Sequence, residues 1–306
     1  MAHEAAKKRK LSGIARMERN WGIAFAMPAV LGFFLFVLGP VVASFFFSLT
    51  DWNIGGQMNF TGFGNYREMF TEDKLFSKSL FVTLYYSLGS IPLSFLAAFI
   101  IALLLNQKVK GLSVFRTIYY MPVLVPSIAN SMLWLWLYNP DFGLFNSLLN
   151  GIGLPGSQWI YDETMAVPSL ILMSTWGVGN AMVIFLAGLQ GVPGHLYEAV
   201  EVDGGGALRK FWHVTLPSMT PTIFFNVVMG TIGTLQVFDQ AYVMTNGGPN
   251  NATLFYIYYL YRTAFSESEM GYAAALAWVL FLIILALTAL VFRSSKFWVY
   301  YEGEGR

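Results

Sequence analysis

The sequence contains no cysteine, and only 11% of its 306 residues are charged. The missing cysteines exclude disulfides, thiolate metal sites and a cysteine nucleophile together. A soluble domain usually carries about 25% charged residues, so this chain has too few to cover a water-facing globule. There are three histidines, His3, His195 and His213, and no Gly-Lys dipeptide. The second absence rules out the GxxxxGK[ST] loop that cradles nucleotide phosphates. A net charge of +1 leaves no broad basic surface, and no nucleic-acid partner is expected.

What the chain has instead is apolar length: 56% hydrophobic and 17% aromatic residues, with a mean hydropathy of +0.55. Crossing about 30 Å of hydrocarbon takes roughly 20 apolar residues in a helix. Six runs qualify: Gly22 to Leu49, Leu80 to Leu105, Leu112 to Leu137, Met165 to Leu189, Ser218 to Phe238 and Gly271 to Phe292. A closed barrel would need short segments of alternating polarity, whereas Phe33 to Leu38 and Ala97 to Leu105 are apolar on every side. The first run is too long for a secretory h-region of about 7 to 15 residues and reads as a span. The expected fold is an all-α membrane protein of six transmembrane helices. Prolines 28, 40, 92, 122, 126 and 168 read as ordinary kinks.

The basic residues set the orientation. Lys7, Lys8, Arg9, Lys10, Arg16, Arg19, Lys108, Lys110, Arg116, Arg209, Lys210, Arg293, Lys296 and Arg306 fall on one side. Only Arg67, Lys74, Lys78 and Arg262 fall on the other. The positive-inside rule therefore predicts that both termini are cytoplasmic. Residues 1–20 read as a cytoplasmic tail, 21–293 as the six-span domain with a cytoplasmic loop at 190–217, and 294–306 as a second tail.

Apart from Arg116 near one edge, no Asp, Glu, Lys, Arg or His lies within the six runs. Proton relays and ion-coupled pumps work through such groups, and a general base would need one too. An enzyme is therefore not expected, and no metal site or cofactor is expected in the chain. Uncharged polar residues do occur. Trp176, Asn180, Asn226, Gly233 and Gln236, with Gly177, Gly179 and Gly230 around them, concentrate in the fourth and fifth runs. They read either as hydrogen-bonding glue between helices or as a lining for a neutral hydroxylated solute. An indole face, small residues and amides suit a carbohydrate better than an ion.

The most specific stretch runs from Pro193 to Pro217. Pro193 can open a helix, and Gly204 to Gly206 can end it. A helix of about ten residues is marginal alone, so Leu196, Ala199, Val200 and Val202 need a surface to pack on. Glu198, Glu201 and Asp203 disfavour an anionic lipid surface and favour docking on a protein. A second short helix is predicted over Ala207 to Val214, with Pro217 breaking it before the fifth span.

The order Glu198, Ala199, Asp203, Gly204, Phe211, Leu216, Pro217 and Pro221 resembles the EAA loop of permease subunits from binding-protein-dependent ABC importers. The likeness extends from about Trp21 to Arg293. It takes in Thr50-Asp-Trp52, Gly64-Asn-Tyr66, Arg116 with Tyr119 to Pro122, Asn139-Pro-Asp-Phe-Gly143, Leu186-Ala-Gly-Leu-Gln190 and Gly271-Tyr-Ala-Ala-Ala275. Thr245-Asn-Gly-Gly-Pro249 is similar to the maltose-type first permease of the sugar branch. Val200 departs from the pattern, where the family usually has a second alanine.

The resemblance implies the type I importer permease fold and a place in the inner membrane of a prokaryote. It implies a pore shared with a second permease in a heterodimer, two ATPase subunits that hold ATP and magnesium, and an extracellular solute-binding protein. Leu196, Tyr197, Glu198, Ala199, Asp203 and Gly204 would couple to the ATPase. Trp176, Asn180, Asn226, Gly233 and Gln236 would line the route of a sugar or oligosaccharide. Glycerol phosphate, an osmolyte or a peptide is the alternative cargo, and a self-sufficient secondary transporter the alternative machine. Thr50 to Ser79 and Tyr138 to Thr164 would face the binding protein. Tyr256, Tyr258, Tyr259 and Tyr261 read as an interfacial aromatic belt in preference to a sugar gate, and Phe297 to Tyr301 as a membrane-surface anchor.

Overall fold

The structure, a computed structural model, describes residues 13–107 and 109–300. The basic cluster Lys7 to Lys10, Lys108, Tyr301 and Arg306 lie outside the described residues. Helices in chain order are α1 Gly13–Phe33, α2 Gly39–Ser48, α3 Gly64–Thr71, α4 Lys74–Leu105, α5 Leu112–Tyr120, α6 Ser127–Leu137 and α7 Leu144–Gly151. They continue with α8 Ala166–Ser174, α9 Gly179–Gly191, α10 Gly194–Val202, α11 Ala207–Lys210, α12 Leu216–Thr234, α13 Tyr256–Tyr261 and α14 Met270–Trp298. The described residues contain no strand beyond one bridge between Thr50 and Phe60.

Three helical runs are long and apolar enough to cross a bilayer unbroken: Gly13–Ser48, α4 and α14. The third expected span is instead a pair, Leu112–Leu124 and Ser127–Leu137, bent by 98°. That is far more than an ordinary kink. Pro126 forces Val125 into an extended conformation, φ −76 and ψ 127, and Pro122 removes a backbone donor one turn earlier. The fourth span is likewise a pair, α8 and α9, bent by 43°. The fifth lies on α12, whose 19 residues pack along α4, α9 and α14.

Two prolines are absorbed without a break. A π turn at Phe34–Leu38 precedes Pro40, and another at Phe211–Thr215 precedes Pro217. In each, the residue just before the proline donates its N–H five residues back, Gly39 to Phe34 and Leu216 to Phe211. The wider register gives room where a proline ring would crowd the carbonyl four residues earlier. As a result Ala207 to Thr234 is one helical run, and Pro217 does not separate a second short helix from the fifth span as the sequence suggested.

At its N-terminal end, α4 is tied by one carboxylate. Asp73 Oδ1 accepts from the N–H groups of Leu75 and Phe76 at 2.8 and 3.1 Å, the usual role of an N-cap. Its Oδ2 accepts from the hydroxyls of Tyr259 and Tyr272 at 2.7 and 2.6 Å. One side chain thus joins α4, α13 and α14. Beside it, Tyr256 donates its N–H to Thr83 Oγ1 and its hydroxyl to Leu276 O. Tyr256, Tyr258 and Tyr259 are buried in the core, which corrects the aromatic-belt expectation, and the hydroxyls of Tyr256 and Tyr259 have partners inside the protein. Tyr261 is half-buried against Phe238 and Tyr242.

The N-terminus of α14 is anchored on the chain leaving α2. Gly271 N–H donates to Trp52 O at 2.9 Å, and a Cβ on Gly271 would collide with the Thr50 carbonyl oxygen. Asn65 Nδ2 reaches Ser48 O and Thr50 O, both at 2.8 Å, and Tyr66 meets Ser48 Oγ. Three separate sequence motifs therefore build one joint. Apolar packing divides in two, one cluster around Phe76, Tyr138, Leu170, Tyr256 and Leu276, the other around Ala102, Met182, Phe185, Leu189 and Met219. The outer faces carry Phe25, Phe36, Leu88 and Leu96 in the open, a surface suited to lipid.

Asp73→Ala is expected to lower the stability of the purified chain in detergent by roughly 2–4 kcal/mol, since a cap and two tyrosine partners are lost together. Asp73→Asn keeps an acceptor oxygen and should cost less. Thermal unfolding followed by intrinsic tryptophan fluorescence reads both. Gly271→Ala should be worse than Asp73→Asn in the same assay, because the collision is with backbone.

Candidate functional site

An elbow projects from the end of the bundle opposite Asp73, next to the second apolar cluster. It begins where α9 ends at Gly191, with Pro193 extended at φ −62 and ψ 130 before α10 starts. α10 closes with Gly204 in the left-handed region at φ +74. Gly205 donates to Val200 O and Gly204 to Glu201 O, at 2.8 and 2.9 Å. This pair of bonds satisfies the last carbonyls of the helix. The chain then turns through Gly206 into the long run of α11 and α12.

No residue of α10 is buried. Its two faces nevertheless differ. Leu196, Tyr197 and Val200 are half-covered and turn toward the bundle, whereas His195, Glu198, Ala199 and Val202 are exposed on one face at i, i+3, i+4, i+7 spacing. Asp203 and Gly204 are exposed at the tip. Of the six residues expected at the coupling contact, Glu198, Ala199, Asp203 and Gly204 thus lie open. Leu196 and Tyr197 point the other way, and Tyr197 Oη meets the buried Thr215 Oγ1 at 3.1 Å. Val202, 88% exposed, belongs to the open face; the sequence reading named it as a side chain needing a surface to pack on but did not place it at the coupling contact. Its place one turn beyond Glu198 was the signal.

Electrostatics add one tie. Lys210 Nζ donates to Glu201 Oε2 at 2.7 Å. This hydrogen bond and the lysine's charge hold the Glu201 carboxyl below its usual range. Leu208 and Trp212 continue the exposed apolar surface past the joint.

The five residues expected along a solute route do not form one cluster. Trp176 and Asn180 are exposed at the bend between α8 and α9. Gly233 and Gln236 are exposed at the far end of α12. Asn226 is buried, 4% exposed, and its Nδ2 donates to Thr222 O at 2.9 Å one turn earlier on its own helix. The Trp176 ring stands edge-on to Trp134 at 6.3 Å. Trp134 Nε1 and Ser131 Oγ, on the same helix, are buried polar atoms without a hydrogen-bond partner; the sequence reading counted Ser131 among the uncharged polar residues of the third span and did not name Trp134. Among the described residues no three His, Asp or Glu come together as a metal site would require.

Residues 90–297 fit the family described as the binding-protein-dependent transport system inner membrane component. The probable ABC transporter permease protein YesP of Bacillus subtilis (strain 168) is 38% identical, with 99% of each chain covered. The diacetylchitobiose uptake system permease protein NgcF of Streptomyces coelicolor is 33% identical, covering 93% of this chain and 84% of that one. The arabinooligosaccharides transport system permease protein AraP of Bacillus subtilis is 31% identical, covering 92% and 89%. The fold is shared with a chain of a bacterial alginate ABC transporter, crystallised with an alginate pentasaccharide-bound periplasmic protein. The TM-score is 0.80 at 22% identity, over 92% of this chain and 96% of the other. The chain described here belongs to the family of binding-protein-dependent transport system inner membrane components.

Proposed function

We propose that this chain is one permease of an ABC importer for a sugar or oligosaccharide, and that it catalyses no reaction itself. The observation that carries the reading is the exposed face of α10, where Glu198, Ala199 and Val202 stand open on a helix with no buried residue of its own. A nine-residue helix in that position is stabilised by what docks on it. Relatives whose names specify uptake of diacetylchitobiose and arabinooligosaccharides support the cargo class. So does the uncharged character of the exposed Trp176, Asn180 and Gln236, since amides bond hydroxyls and an indole packs on a sugar face.

In this reading α5 with α6 and α8 with α9 each make one bent span, and α12 completes six. Both termini and the 190–217 elbow face the cytoplasm of a prokaryotic cell, with the elbow inside the 21–293 domain. Two ATPase subunits carrying ATP and magnesium grip α10 and its counterpart on a second, different permease. The binding protein delivers solute to the opposite end, against Thr50 to Ser79 and Tyr138 to Thr164. Asn226 contributes from within the bundle, by holding α12, rather than from the wall of the route.

Because the natural chain has no cysteine, single introduced thiols report topology cleanly. In intact cells a membrane-impermeant maleimide should label Phe63→Cys and spare Val202→Cys until the membrane is opened; the reverse pattern removes the proposed orientation. In the reconstituted importer, Glu198→Arg should cut solute-stimulated ATP hydrolysis and uptake by more than about tenfold, a loss of hot-spot size, with membrane insertion unchanged. Normal ATPase attachment in that variant would take α10 out of the mechanism. Trp176→Ala should leave ATPase attachment intact while raising the KM for uptake about tenfold.

A further inference from the structure

The joint between α10 and α11 is three glycines, Gly204, Gly205 and Gly206. The closing bonds of α10 hold the first two. Gly206 is extended, at φ −78 and ψ −176, with no atom within 4 Å of where a Cβ would lie. Glycine leaves such a joint free to swing, and α10 has no buried side chain to fix its angle. A push on α10 would then rotate the elbow about Gly206 and leave α12 where it was.

Two side-chain ties span the joint. Tyr197 Oη meets Thr215 Oγ1 at 3.1 Å, and Glu201 Oε2 accepts from Lys210 Nζ at 2.7 Å. Lys210 ends α11, which continues through the π turn into α12 without interruption. Thr215 is the last residue of that turn and is buried. Both ties therefore end on the rod that carries α12. We propose that the Glu201–Lys210 ion pair, seconded by Tyr197 and Thr215, is a positioning brace that locks α10 to α12 so that displacement at the elbow becomes displacement of the span. This rests on the coupling role proposed for α10. The brace is distinct from the docking face, because Glu201 is engaged by Lys210 whereas Glu198, Ala199 and Val202 are open.

The test uses the full importer in lipid vesicles and reads ATP hydrolysed per solute molecule taken up. Glu201→Gln and Lys210→Gln should each raise that ratio about two- to fivefold, the scale an exposed ion pair supports, with the ATPase subunits still attached. The exchange Glu201→Lys with Lys210→Glu should bring the ratio back toward the natural value. Adding Gly206→Ala to Glu201→Gln should also recover coupling in part, since the new methyl meets no atom and narrows the joint's freedom. An unchanged ratio in the single variants, or an exchange no better than either, overturns the brace. If the single variants fail to assemble, the exchange decides alone. Loss of ATPase attachment in Glu198→Arg alongside a normal ratio in Glu201→Gln sinks the brace and leaves the coupling role standing. Normal attachment in Glu198→Arg removes the coupling role itself.

Discussion

The constraint that orders this molecule is that a backbone polar group inside hydrocarbon must find its partner within the protein. α4 runs about 48 Å as one helix, with Pro92 inside it. Asp73 closes its first turn, Thr83 and Ser87 return their hydroxyls to their own helix, and Asn106 caps its end. With α4 intact, α8, α9, α12 and α13 have a common surface to pack on. The same rule explains how the prolines are handled. Pro40 and Pro217 are taken up in π turns that keep the rods whole, whereas in the third span the chain leaves the helix at Val125-Pro126 and changes direction.

At the elbow the balance reverses. The bundle holds itself with buried apolar surface and hydrogen bonds, but α10 holds itself with almost nothing: a proline start, a glycine stop and two side-chain ties. Val202, Leu208 and Trp212 are left exposed, the kind of apolar surface that a docked protein covers. Under the docking role proposed for α10, weak fixation alone is an advantage, because the docking contact then supplies most of its order.

Much of this was legible in the residues and some was not. Long apolar runs locate every major helix, since hydrocarbon thickness sets a length that sequence can be measured against. The elbow and its glycine stop were legible for a local reason: helix start and stop signals act within a few residues. Asp73 was not. It has the look of a polar loop residue, and its tyrosine partners lie 186 and 199 positions away. The tyrosine cluster around residue 256 was misread for the same reason, because a belt and a core share one composition and differ only in what the hydroxyls meet. Asn226 illustrates the limit within a span. A polar side chain on an apolar helix can face a route or its own backbone, and spacing cannot say which. Pro217 looked like a break because the rule for prolines assumes α register, and a π turn lies outside that rule.

That last difference bears on how force could travel. Ala207 to Thr234 is one rod about 40 Å long, with the elbow tied to one end and Gly233 and Gln236 at the other. A break at Pro217 would have put a second hinge beside the first at Gly206, and a push on α10 would have been lost between them. With the π turn in place only the glycine joint remains free, and two side-chain ties cross it. Within the six apolar runs there is no Asp, Glu, Lys, Arg or His, the groups through which ion-coupled transporters work, apart from Arg116 near one edge. Under the coupling role proposed for α10, a push at the elbow would be carried along this rod to its far end, where Gly233 and Gln236 are exposed.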